Sequence, residues 1–208
     1  MPDKSLSNLN QIAGDLIRVL EIPKQTSAKP ICIILIGLPG SGKTFISKKL
    51  TERLPLVYLS EELVQAFLVP NKTFFDRGEE AVLELIYTTI DKLLHTKYSV
   101  IFDANLKKLE NRMAIKSIVD KARSQIITLY LNCPENIAFD RLKQKNLEIL
   151  RGDSREFVME TDYFYFEKNN LEKPIKSEQA YLFDTANSTL RDIDKLVEYL
   201  KGKMFNQD

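Results

Sequence analysis

Residues 31–53 admit few folds other than a strand, a tight turn and a helix. Ile31-Cys32-Ile33-Ile34-Leu35-Ile36 is an unbroken apolar run rich in β-branched residues, as in a strand buried on both faces. It leads into Gly37-Leu38-Pro39-Gly40-Ser41-Gly42-Lys43-Thr44, which satisfies G-x-x-x-x-G-K-[ST]. Residues 45–53 then read as a helix. Gly37, Gly40 and Gly42 permit backbone angles and close approaches that a side chain would block. The loop amides and the positive helix end would face a polyphosphate. Lys43 adds a mobile cation for β- and γ-phosphates, and Thr44 a hydroxyl for Mg²⁺. The pattern points to a nucleoside triphosphate bound by residues 37–44, with Phe45 next to them.

Around this unit the chain alternates. Leu6, Leu9, Ile12, Leu16, Ile17 and Leu20 recur at helical spacing, so residues 5–22 form an amphipathic helix outside the glycine-loop core. That helix either packs on the domain or serves as an arm for a partner protein. Residues 23–30, between two prolines, are a linker, which divides the chain into 1–30 and 31–208. Residues 56–59 are a short strand, and Ser60-Glu61-Glu62 opens a helix through Leu68 with Ser60 as N-cap. One of the two glutamates falls at a strand's carboxyl end, where open α/β sheets bind ligands. A long helix over 78–96 precedes Tyr98-Ser99-Val100-Ile101-Phe102-Asp103, an apolar run ending in a carboxylate suited to ordering a Mg²⁺ shell. Further strands at 126–131 and 180–183, with helices up to about 123, from 133 to about 146 and over 189–201, complete a three-layer α/β fold. Its sheet is parallel, five-stranded and flanked by helices.

Charge excludes some partners. With 30 basic and 29 acidic residues in 208, no global field draws the protein to nucleic acid or membranes. No apolar run is long enough to span a bilayer, and Cys32 and Cys133 read as buried free thiols suited to a reducing, cytoplasmic location. His95, late in a long helix, reads as a surface residue.

Residues 31–200 resemble the small P-loop kinases that include the phage polynucleotide 5′-kinase, the zeta toxins and related AAA-type P-loop kinases. The glycine loop fits their Gly-x-Pro-Gly-Ser-Gly-Lys-[Ser/Thr], and Val100-Ile101-Phe102-Asp103-Ala104-Asn105-Leu106 is similar to their hydrophobic-Asp-[Ala/Thr]-Asn-Leu signature. The resemblance implies an ATP- and Mg²⁺-dependent kinase with a helical lid at about 140–176. It places Glu61 at the catalytic base, with Glu62 as the alternative, and Asp103 and Thr44 on the metal. Arg141 and Lys145 reach over the phosphates, and Thr185 borders the adenine. The family's arginine three residues after the base is Val64 here, and Arg112 matches a further arginine. The acceptor implied is a hydroxyl of a small molecule or a nucleic-acid end. The competing reading is an NTP-binding switch or accessory ATPase acting on a partner protein through the N-terminal helix.

Two further groups stand out. Tyr163-Phe164-Tyr165-Phe166 either anchors a helix in the core or stacks on a base. Lys107, Lys108, Arg112 and Lys116 read as a solvated helix face, with an anionic acceptor site as the sharper option.

Overall fold

The computed structural model describes residues 4–70, 78–104, 106–151 and 158–205. The five strands are β1 (Ile31–Ile36), β2 (Leu56–Ser60), β3 (Ser99–Asp103), β4 (Gln125–Asn132) and β5 (Tyr181–Asp184). They form one sheet in the order β2-β3-β1-β4-β5, every pair parallel. Among the described residues eight α-helices surround it: α1 (Lys4–Val19), α2 (Lys43–Thr51), α3 (Glu61–Leu68), α4 (Glu79–His95), α5 (Leu109–Lys121), α6 (Glu135–Leu150), α7 (Thr161–Asn169) and α8 (Leu190–Phe205). This is the three-layer arrangement that alternating buried strands and helices predict.

Side chains two apart share a sheet face, and that parity divides the core. Cys32, Ile34, Val57, Leu59, Val100 and Phe102 pack against α1, α3, α4 and α5. Ile31, Ile33, Leu35, Ile101, Ile127 and Leu129 pack against α2 and α8. Each such buried aliphatic side chain stabilises the fold by about 1.5–3 kcal/mol, so β1, wholly buried along its six residues, is the axis of the domain. In parallel strands the carboxyl ends share a rim. Ser60 pairs with Asp103 there, and Ile36 with Tyr130.

The expected helix over 5–22 ends at Val19, and Leu20 N closes a tighter turn on Ile17 O at 3.2 Å. Leu9, Ile12, Ala13 and Leu16 are buried in the core cluster that α4 shares, so α1 packs on the domain and spends its apolar stripe inside the molecule. Among the described residues no helix is long and apolar enough to cross a membrane. Both cysteines are free and buried.

The basic group before and on α5 divides: Lys108 and Lys116 stand toward solvent, as on a solvated face, while Arg112 turns inward. Arg112 is 1% exposed; its Nε and Nη2 donate to the Glu178 carboxylate at 2.7 and 3.1 Å. Its Nη1 donates to Leu106 O at 3.0 Å and Lys107 O at 3.2 Å. Lys116 pairs with Asp120, and Lys107 with Glu167. Helical spacing alone could not show that Arg112 points inward toward a carboxylate 66 residues on. We predict that Arg112→Met, which strands Glu178 as an unpaired buried charge, destabilises the protein by about 3–5 kcal/mol, measured by denaturant unfolding.

Candidate active site

The loop between β1 and α2 is shaped by contacts only glycine tolerates. Gly40 has φ 77°, and a Cβ there would lie 2.1 Å from the Ala138 carbonyl oxygen on α6. At Gly37 a Cβ would meet Ser41 Oγ at 2.6 Å and Leu131 O at 2.9 Å. The loop is thus pressed between the end of β4 and α6. Gly42, at φ 95°, starts α2 and gives it no side-chain cap. The first-turn N–H groups of α2 therefore have no side-chain acceptor and stay available to an anion. By contrast, Ser60 Oγ caps α3 by accepting from Leu63 N at 3.1 Å.

Lys43 arches back over this loop, its Nζ donating to Gly37 O at 2.9 Å and Leu38 O at 3.1 Å. Burial lowers its pKa, opposed by the negative charges of Asp103, Glu167 and Glu62. An ammonium so poorly solvated is primed for a stronger anionic partner.

A cavity of about 370 Å³ opens beside it. Pro39, Gly40, Gly42, Lys43, Thr44 and Phe45 line it from the loop and α2, Glu62 from α3, and Asp103 and Ala104 from the end of β3. Arg141, Leu142 and Lys145 come from α6, and Met159 closes it. Asn146 ties the end of α6 to Met159, donating to Met159 O at 2.8 Å and accepting from Met159 N at 3.0 Å. A second cavity of about 350 Å³ shares Gly42, Phe45 and Arg141 with the first and adds Ile46, Thr185 and Ser188. Arg141 stands between the two, donating through Nη2 to Thr185 O at 2.8 Å and through Nη1 to Cys133 Sγ at 3.7 Å. The two cavities thus adjoin at Arg141.

Asp103 follows Ile101 on the α2 face, which the strand's period of two could have revealed. Its Oδ2 accepts from the Tyr58 hydroxyl at 2.9 Å. Burial, then the Asp103 charge, raises the Tyr58 pKa, so the phenol keeps its proton and orients the carboxylate across the physiological range. Thr44 and Asp103 line the same cavity and offer hard oxygen donors, the chemistry Mg²⁺ prefers. Among the described residues no group of three His, Cys, Asp or Glu side chains is placed to hold a metal ion.

Of the two glutamates it is Glu62, and not the expected Glu61, that lines the cavity. Glu61 Oε1 accepts from Gln65 Nε2 at 3.4 Å along the helix surface. The matched Arg112 is sequestered by Glu178, and Val64 is fully buried in the core. Phe164 is buried with Leu38, Ala138 and Leu142. Tyr163, Tyr165 and Phe166 are exposed, and Lys107 Nζ stands 5.1 Å from the Phe166 ring centre. His95 lies on the surface beside Asp91. Asn105 and residues 152–157 of the expected lid lie outside the described residues.

Known proteins resemble this chain in sequence and fold. Residues 32–161 match the AAA domain family. An adenylate kinase of Bacteroides fragilis is 26% identical over 188 residues, covering 81% of this chain and 98% of the relative. The structure of Chaetomium thermophilum Kti12 in complex with ADP-AlF3 superposes with a TM-score of 0.66 at 17% identity, over 85% of this chain and 100% of that one. A sugar kinase from Janibacter sp. HTCC2649 gives a TM-score of 0.60 at 16% identity, over 83% and 95%. At such identities the two structures establish a common fold.

The Gly40 contact yields a direct prediction. Gly40→Ala must push α6 off the loop, so ADP affinity is expected to fall by about tenfold or more, a loss of about 1.4 kcal/mol, read by calorimetry.

Proposed function

The chain belongs to the AAA domain family, and from that premise we propose that it is an ATP- and Mg²⁺-dependent phosphotransferase. The acceptor is a hydroxyl of a small molecule or of a nucleic-acid end. One observation carries the reading: the uncapped start of α2, Lys43, the Thr44–Asp103 oxygen pair, Arg141, Lys145 and Glu62 meet in a single cavity. Phosphoryl transfer asks chiefly for this kind of positioning and charge neutralisation.

The roles follow from placement. Lys43 exchanges two loop carbonyls for the β- and γ-phosphates. Thr44 and Asp103 are the residues that would hold Mg²⁺, which supplies charge neutralisation and orientation of the β- and γ-oxygens. Glu62 takes the acceptor's proton as the acceptor oxygen bonds to the γ-phosphorus and the bond to the β–γ bridging oxygen breaks, leaving ADP. Arg141 and Lys145 spread positive charge over the moving phosphoryl group. Arg141, Phe45, Thr185 and Ser188 accommodate the nucleoside.

The relatives suggest acceptors to try. Adenylate and sugars come first, from the names of the adenylate kinase and the sugar kinase. Adenylate would accept on a phosphate oxygen and a sugar on a hydroxyl, so the two acceptors separate the classes.

The test is transfer of labelled γ-phosphate to a panel of sugars, nucleosides, adenylate and oligonucleotide ends. The wild type is expected to label at least one of them, and Lys43→Ala to label none while remaining folded. Glu62→Gln is expected to slow transfer by about 10²–10⁴-fold, the range of general-base catalysis, with Glu61→Gln near wild type. Wild-type turnover in Lys43→Ala would refute the donor site, and the reverse ranking of the glutamates would return the base to Glu61.

A further inference from the structure

Helix α7 carries a carboxylate into the interior beside the segment that follows Asp103. Glu167 is 2% exposed. Its Oε1 accepts from Lys107 Nζ, while Oε2 is buried with no hydrogen-bond partner among the described residues. An acceptor left so is costly, more so when charged, and folded proteins keep few such groups that packing alone explains. The phosphotransfer scheme above gives Glu167 no role.

Its surroundings suggest one. Lys107 lies four residues beyond Asp103, and its backbone is clamped from the same direction. Glu172 N donates to Lys107 O at 2.9 Å, and Leu109 N donates to Glu172 Oε2 at 2.7 Å. Three residues before Glu167, Phe164 packs with Leu38 of the glycine loop. The charge of Glu167 also acts on Lys43, second among the carboxylates to Asp103. One buried carboxylate thus holds Lys107 by contact, on the same side as the Phe164–Leu38 packing against the glycine loop.

Building on the phosphotransfer reading, we propose that Glu167 is a positioning residue for phosphoryl transfer. It fixes Lys107, and through it the segment behind Asp103, in register with Lys43. Glu167 touches neither nucleotide nor acceptor; it acts through Lys107.

The test needs no identified acceptor. Phosphate release from Mg·ATP, with water as acceptor, is measured for wild type, Glu167→Gln and Glu167→Asp, alongside Mg·ADP affinity and thermal unfolding. Glu167→Gln keeps the shape and removes the charge. Its kcat is expected to fall by about 10- to 100-fold, as for a misplacement of about 1 Å, while KM for ATP and Mg·ADP affinity stay within about threefold. Glu167→Asp is expected to recover part of kcat. Should Glu167→Gln fail to fold, the doubly neutral Lys107→Gln/Glu167→Gln protein carries the same expectation. Wild-type kcat in the folded variant overturns the proposal, as does a loss lying wholly in KM. A wild type that neither binds nor turns over Mg·ATP fails at the control, and then the phosphotransfer reading falls as well.

Discussion

The glycine loop meets α6 backbone to backbone, with the Gly40 Cα so close to the Ala138 carbonyl that no side chain fits between them. This contact fixes three things together. It holds the loop open around its own amides, brings Arg141 and Lys145 one to two helical turns along α6 to the same cavity, and seats Leu38 in the small apolar cluster with Phe164. The loop amides, Lys43, Arg141, Lys145 and Phe164 of α7 are therefore parts of one packed unit.

The sheet supplies the opposite wall. Because β1, β2 and β3 are parallel and in register, the loop, Ser60 and Asp103 emerge on one rim. Face parity then selects which side chains look at α2: Ile101 and Asp103 do, and Phe102 belongs to the other cluster. Tyr58, adjacent on β2, completes the arrangement by holding Asp103. The rim thus offers carboxylates on the β2–β3 side and cations on the loop and α6 side. A phosphoryl group in transit between a nucleotide and a hydroxyl calls for that polarity.

Much of this was legible in the residues. The strand–loop–helix unit, the alternation that demands a parallel sheet and the carboxylate ending β3 all rest on local patterns of period two or 3.6. What escaped depends on contacts between distant segments. Glu61 and Glu62 are equivalent in a linear pattern, and only the folded chain shows Glu62 on the cavity wall. Arg112 looked solvent-facing because its partner, Glu178, lies 66 residues away. Glu167 was hidden for the same reason, its lysine being 60 residues upstream. Charged residues buried as pairs leave no trace in hydropathy, since each alone has the composition of a surface.

A calorimetric titration of folded wild-type protein with a non-hydrolysable ATP analogue, with and without Mg²⁺, tests the account most directly. Backbone amides and an under-solvated ammonium awaiting a polyphosphate predict saturable one-to-one binding tighter than about 1 mM, strengthened by the metal. A folded protein that takes up no nucleotide under either condition would contradict it.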